Sequence, residues 1–140
     1  MVLLVPEIGK SRLSGAARWL TPDKALIQLS LRGRWAEAFW FTFFHEAAHI
    51  LLHSKKRTFI DDGQSSDELE GEADQFALDF LIPAEHLPTM RTLKTAADVR
   101  AFANAVGVGT GIVAGRLHKE DMIPKTWFNE VDIHPRYTFR

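Results

Sequence analysis

The sequence predicts an α+β fold in which a small antiparallel N-terminal sheet packs on a helical core. Short apolar or alternating runs, typical of strands, fill much of the first 31 residues. From residue 34 onward, apolar side chains recur at helical spacing, and glycine or proline separates the segments. A chain of 140 residues with 46% apolar side chains is long enough for one compact domain with its own core. We therefore expect one domain over residues 1–140.

Three strands are predicted before residue 32, at residues 2–5, 13–20 and 24–31. The last two flank Thr21-Pro22-Asp23, a sequence that favours a tight turn. Residues 24–31 alternate with a two-residue period, which suits a half-buried strand. An edge strand of this sheet could pair with an extended peptide, or the sheet could serve only to cover the helical core, and both interpretations stay open.

The next predicted element is a helix over residues 34–53 that is apolar nearly all round, a pattern typical of a buried helix. It carries an H-E-x-x-H motif formed by His45, Glu46 and His49. Residues four apart lie on one face of a helix, so His45 and His49 can each direct a ring nitrogen to one point. A divalent metal binds histidine nitrogens at about 2.0–2.1 Å, and Glu46 could take a proton from a water beside it. The alternative is a surface helix with two histidines by chance, but titratable groups in an apolar helix are costly unless they are paired or metal-bound.

An exposed polar loop is predicted over residues 55–66, with Asp61-Asp62-Gly63 as a turn. A second helix should follow, with Ser66 or Asp67 as its cap and an end near Ile82-Pro83. Its apolar residues recur at helical spacing, so the helix is amphipathic.

This second helix offers the third ligand that a hydrolytic zinc site usually takes from the protein. Glu70 and Asp74 are four residues apart and share one face of the helix. Glu70 could reach the metal, and Asp74 could accept a hydrogen bond from the outer nitrogen of a ligand histidine. The alternative is a solvated acidic face, to which we assign Glu68 and Glu72.

Three ordered blocks of the sequence resemble the ImmA/IrrE family of metallopeptidases, zincins whose third ligand is a glutamate on a second helix. The blocks are residues 45–53 (HEAAHILLH), residues 70–77 (EGEADQFA) and Leu81-Ile82-Pro83. The resemblance covers at least residues 35–83. It implies that His45, His49 and Glu70 bind Zn²⁺. It also implies that Glu46 is the general base.

Two further residues adjoin this predicted site. His53 continues the i, i+4 series from His49, and members of that family often have histidine there. It is offset by about 80° from His45 around the helix, so we predict a supporting role rather than a ligand. Asp74 stands where many relatives have Asn, although the broader zincin pattern has Asp, and we predict that it orients a ligand histidine.

Three shorter helices are predicted downstream, at residues 83–90, 95–106 and 110–119. Thr95 suits the cap of the second of these, with Asp98 at the third helical position, and Gly107 suits its end. The glycine-rich stretch that follows lacks the preceding strand and the following Lys-Ser/Thr of a phosphate loop. It therefore predicts a connector between helices.

Isolated polar residues in the C-terminal half have plainer interpretations. We take His86, His118 and His134 as surface histidines. Arg116 or Tyr137 could stabilise an oxyanion, although nothing in the sequence places either residue at the metal.

Charge and composition argue against several other classes of function. A net charge of −1 creates no strong field toward nucleic acid or anionic lipid, so we expect no nucleic-acid binding by this domain alone. No stretch is apolar enough to span a bilayer and the start is unlike a signal peptide, so no membrane partner is expected. The absence of cysteine excludes disulfides and thiolate zinc sites, and it agrees with a cytoplasmic location.

Together these features predict a zinc metallopeptidase. The resemblance implies a protein substrate of narrow range, often a transcriptional regulator, in stress response, mobile-element control or a toxin–antitoxin module. Many relatives carry a helix-turn-helix domain ahead of the peptidase part, and its absence here suggests a domain excised from a longer regulator. The alternative is a non-catalytic protein-binding module, an antitoxin or regulator partner domain, that keeps a zinc site and recognises a toxin or a repressor.

Overall fold

The computed structural model describes residues 1–6, 14–31, 35–53, 63–129 and 132–136. Its strands are β1 (Val2–Val5), β2 (Gly15–Thr21) and β3 (Lys24–Ser30). Its α-helices are α1 (Ala36–Leu52), α2 (Gly63–Leu81), α3 (Leu87–Met90), α4 (Ala96–Val106) and α5 (Thr110–Lys119). The predicted α+β fold is therefore confirmed.

The sheet is mixed, so the prediction of a purely antiparallel sheet is wrong. β2 and β3 form an antiparallel hairpin, with Gly15 opposite Leu29 and Thr21 opposite Lys24. β1 pairs parallel to β3 on its other side, which gives the order β1-β3-β2. A parallel pair needs a crossover of a dozen or more residues. The segment between β1 and β3, which includes β2 itself, meets that requirement, and strand periodicity alone carries no information about direction.

Packing divides the chain into two compact units. The first comprises Met1–Gly33 and Phe39–Ala77, and the second comprises Arg34–Ala38 and Leu78–Arg140. The prediction of a single domain over residues 1–140 stays a prediction.

In the first unit, the buried apolar side chains come from β3 and from the two long helices. They are Leu26, Leu29, Ala48, Ala73 and Ala77. Because α1 and α2 bury alanines, their axes can approach closely. This approach brings carboxylates of α2 within reach of the histidines of α1.

The second unit has its own apolar core, drawn from the helices and turns after residue 81. Its fully buried larger side chains are Ile82, Met90, Val99, Val113, Leu117 and Ile133. The predicted Thr95 cap of α4 is confirmed, since its side chain accepts a hydrogen bond from the backbone of Asp98. The Asp98 side chain also accepts one from the backbone of Thr95, which completes a capping box. Gly107 ends α4 with φ at 84°, a left-handed conformation that favours glycine.

The start of α2 differs from the prediction. The helix begins at Gly63, so residues 63–66 are helical and neither Ser66 nor Asp67 is its cap. Residues 55–62 of the predicted loop lie outside the described ranges. Serine and aspartate cost less than about 0.7 kcal/mol relative to alanine inside a helix. A potential cap residue therefore does not stop a helix that the preceding residues can extend.

The apolar surface of α1 is less covered than predicted. Only Glu46 and Ala48 of this helix are buried, whereas Leu51 and Leu52 are 70% and 53% exposed. The prediction of burial, made from an apolar pattern all round the helix, is therefore wrong for its C-terminal turn. Burial also requires another element that packs against that turn. Within the described ranges, no helix combines the length and the apolar character needed to cross a membrane.

Candidate metal centre

α1 places two histidine rings side by side in the first unit. His45 and His49 lie one turn apart, with ring centroids 4.9 Å apart. Their Nε2 atoms are separated by 3.2 Å. Both side chains are largely buried, and both rings direct the same type of nitrogen toward one point. The helical spacing of the motif thus produces the convergence that the sequence predicts.

α2 brings the carboxylate of Glu70 to this pair. Its Oε2 atom lies 3.0 Å from Nε2 of His45, and its Oε1 atom lies 3.2 Å from Nε2 of His49. The three side chains offer ligand atoms that all lie within 4.8 Å of one another. Tetrahedral ligands at about 2.0–2.1 Å from a metal are roughly 3.3 Å apart, so the spacing suits such an ion. These residues could hold a divalent metal.

Asp74 determines which ring nitrogen of His45 carries the hydrogen. Its Oδ1 atom lies 2.8 Å from Nδ1 of His45, which donates to it. A neutral imidazole has a single N–H, so Nε2 of His45 then faces the Glu70 carboxylate as an acceptor. Two acceptors at 3.0 Å repel each other unless a cation or a proton lies between them. The donor set therefore fits a metal ion, and Asp74 occupies the place predicted for a residue that orients a ligand histidine.

Burial also favours the neutral form of the second histidine. It lowers the pKa of His49 below its ordinary value of 6.5, and the Glu70 carboxylate partly opposes this shift. Only a neutral imidazole has a free lone pair for a metal. His49 is consequently suited to metal binding near neutral pH.

Glu46, the candidate base, is buried against β2. A Cβ atom added to Gly15 would lie 2.6 Å from Cγ2 of Thr42 and 2.9 Å from Cγ of Glu46. A larger residue at position 15 would force the side chains of Thr42 and Glu46, or the backbone of β2, to shift. Gly15 was predicted only as part of a strand, yet glycine inside a strand pattern is itself a signal of close backbone approach.

This burial changes the proton affinity of Glu46. Desolvation raises the pKa of its carboxyl above the ordinary value of 4.5; the adjacent His45 opposes the shift and Glu70 adds to it. The carboxylate therefore holds a proton more strongly than an exposed glutamate does.

We expect metal-free Glu46→Gln protein to be more stable than the wild type at pH 7. A carboxyl whose pKa is raised by folding stabilises the fold below its unfolded pKa and loses that contribution as the pH rises through the folded pKa. Glutamine has no such charge to desolvate. Thermal unfolding of both metal-free proteins should show a difference at pH 7 that shrinks toward pH 4.5.

The control for this prediction is Glu68→Gln, which removes the same charge from an exposed position on α2. It should leave the unfolding midpoint nearly unchanged. Equal unfolding midpoints for the wild type and Glu46→Gln at pH 7 would show that burying the Glu46 carboxylate does not destabilise the fold.

His53 lies beside His49, outside the triad of candidate ligands. Its Nδ1 atom is 2.8 Å from Nδ1 of His49, and its Nε2 atom is 3.1 Å from Oε2 of Glu72. Glu72 was predicted to lie on a solvated acidic face of α2. That assignment is incomplete, since Glu72 is largely exposed and still contacts His53.

The comparison with known families agrees with this geometry. Residues 17–118 match the model of a peptidase family described as the IrrE N-terminal-like domain. The chain belongs to this family. The matched range contains the candidate ligands of this IrrE N-terminal-like domain, together with Glu46 and Asp74. No curated protein matches the chain.

Arg116 of the IrrE N-terminal-like domain, one of the two candidates for oxyanion stabilisation, is buried in the second unit. Its guanidinium lies 3.3 Å from Asp79 and 2.8 Å from Glu120. Its NH1 group also donates to the carbonyl of Ile82 at 3.4 Å. These carboxylates offset the cost of burying the Arg116 charge. The other candidate, Tyr137, lies outside the described residues.

The prediction of His134 as a surface histidine is wrong. Its side chain is mostly buried, with Nδ1 2.6 Å from Oε1 of Glu37 and Nε2 2.7 Å from the carbonyl oxygen of Phe128. Glu37 is 97 residues away in the chain, so no local pattern could reveal the pair. His86 and His118 are partly exposed.

Proposed function

We propose that the chain is a zinc-dependent endopeptidase of narrow specificity. The observation that supports this most strongly is the convergence of His45, His49 and Glu70 beside the buried carboxylate of Glu46. Membership of a peptidase family supports the same function. Three protein ligands are also the number that catalytic zinc sites take, since they leave one position open.

His45, His49 and Glu70 would hold the zinc ion in this mechanism. When bound, zinc polarises the scissile carbonyl and lowers the pKa of water toward about 7. Asp74 keeps the N–H of His45 on its outer nitrogen, so that Nε2 stays available.

Glu46 would carry the proton. As general base it takes a proton from the attacking water while the water oxygen bonds to the carbonyl carbon. It then returns that proton to the leaving amine nitrogen as the peptide C–N bond breaks. The raised pKa of Glu46 brings its proton affinity nearer to that of the groups it must exchange with.

We propose a protein substrate, a transcriptional regulator or a toxin in the cytoplasm, rather than nucleic acid or a membrane. The near-neutral charge offers no general attraction for polyanions, and a chain without cysteine suits a reducing compartment. Stress response, mobile-element control and toxin–antitoxin modules are the settings that the family resemblance implies.

The test uses Glu46→Gln as a trap. We expect this variant, loaded with zinc, to retain one protein from an extract of the source cells, because binding persists while hydrolysis stops. Wild-type zinc-loaded protein should then cut the captured protein at one place and leave casein intact. A chelator should block the cut.

A captured protein that stays intact after prolonged incubation with zinc-loaded wild type would contradict the peptidase proposal. If Glu46→Gln also kept full biological activity, the chain would be a binding module whose metal is structural.

A further inference from the structure

We propose that His53, held by Glu72, is a positioning residue that presents Nε2 of His49 to the metal. This inference rests on the proposed metal site and extends it to two residues that bind no metal themselves.

The contacts form one continuous chain of hydrogen bonds. His53 directly follows the last residue of α1, and its ring lies 4.9 Å from that of His49 between centroids. Nδ1 of His53 is 2.8 Å from Nδ1 of His49, and Nε2 of His53 is 3.1 Å from Oε2 of Glu72. The side chain of His53 is only 7% exposed, so these contacts exclude most of the competing water.

The chemistry of the groups determines which nitrogen carries each hydrogen. An ionised carboxylate can only accept, so Nε2 of His53 must donate to Glu72. A neutral His53 then has an acceptor at Nδ1, and Nδ1 of His49 must donate to it. The remaining nitrogen of His49 is left with a lone pair, and it lies 3.2 Å from Oε1 of Glu70. With His53 neutral, these contacts leave His49 in the tautomer that metal binding requires.

Each of the two candidate ligand histidines therefore has a hydrogen-bond partner at its outer nitrogen, Nδ1. Asp74 accepts directly from Nδ1 of His45, whereas Glu72 acts on His49 through the ring of His53. Both carboxylates belong to α2, the same helix that carries Glu70. One helix consequently supplies a candidate ligand, the direct hydrogen-bond partner of His45 and the carboxylate that contacts His53.

Zinc affinity at a fixed pH tests the proposal, measured by competition with a chromogenic chelator. Loss of an outer partner of a ligand histidine typically weakens metal binding about 10–100-fold, and we expect this for His53→Ala. His53→Asn, whose side-chain oxygen can accept at the place of Nδ1, should restore much of the affinity. Glu72→Gln should weaken binding less than His53→Ala, and Glu68→Gln, with the same charge loss at an exposed position, should have no effect.

A second readout needs neither zinc nor activity. Long-range ¹H–¹⁵N NMR spectra of the metal-free protein should show His49 protonated at Nδ1, and His53→Ala should shift its hydrogen toward Nε2. A role limited to joining the two helices would lower the unfolding midpoint of His53→Ala but leave zinc affinity and the tautomer unchanged.

Unchanged zinc affinity and an unchanged His49 tautomer in His53→Ala would overturn the proposal. A hydrogen on Nε2 of His49 in the metal-free wild type would overturn it as well. A wild type that binds no zinc would overturn the metal site and this inference together. A protein that binds zinc and shows the expected losses but cleaves nothing would overturn the peptidase function alone.

Discussion

Replacing Glu46 with Gln is expected to slow peptide hydrolysis about 10²- to 10⁴-fold, the usual effect of losing a general base. Glutamine keeps the size and the hydrogen-bonding ability of the side chain but cannot accept the proton. The fall should appear in kcat for cleavage of the captured protein, because Glu46 acts on the reacting water and not on substrate affinity.

The control is the zinc content and folding of the same preparation. Both should match the wild type, since Glu46 is not one of the converging ligand groups. Undiminished cleavage by a preparation free of contaminating proteases would exclude Glu46 as the base.

Replacing His49 with Ala is expected to abolish stoichiometric zinc binding, from about one ion per chain to almost none after dialysis. His49 supplies one of the three ligand atoms that converge in the described part of the chain. Glu70→Ala should also lower zinc affinity strongly, because its carboxylate contacts both histidines. Elemental analysis and chelator competition measure both effects.

His86→Ala is the matched control, since it removes a partly exposed histidine of the second unit. It should keep the full zinc content. Wild-type affinity in Glu70→Ala would make the assignment of the third ligand wrong and direct attention to Asp74 or Glu72.

Most features that depend on neighbours in sequence were predicted correctly, although the start of α2 was not. The Thr95 cap of α4 and its glycine end involve residues three to twelve positions apart, and the structure confirms both. The rings of His45 and His49 meet because a helix repeats every 3.6 residues. Glu70 was selected on chemical grounds, as the acidic residue bordering an apolar stripe, and the structure places its carboxylate 3.0 Å from His45.

Apart from the approach of Glu70 and Asp74 to His45, features that depend on distant contacts were predicted poorly. The parallel direction of β1 follows from pairing with β3, not from the residues of β1 themselves. His134 looked isolated because its partner Glu37 is 97 residues away. Glu72 was assigned to a solvated acidic face, and only the position of His53 gives it a partner.

By itself, then, the sequence determined the fold class, the two helices of the site and the chemical identity of the candidate ligands. These depend on local backbone periodicity and on which side chains can bind a metal. The tertiary structure alone decided the strand order, the close approach of Gly15 to Glu46, and the contacts that link His49 through His53 to Glu72. The physical reason is that each of these features requires two segments far apart in the chain to pack within a few ångströms of each other. Local sequence patterns do not encode such packing.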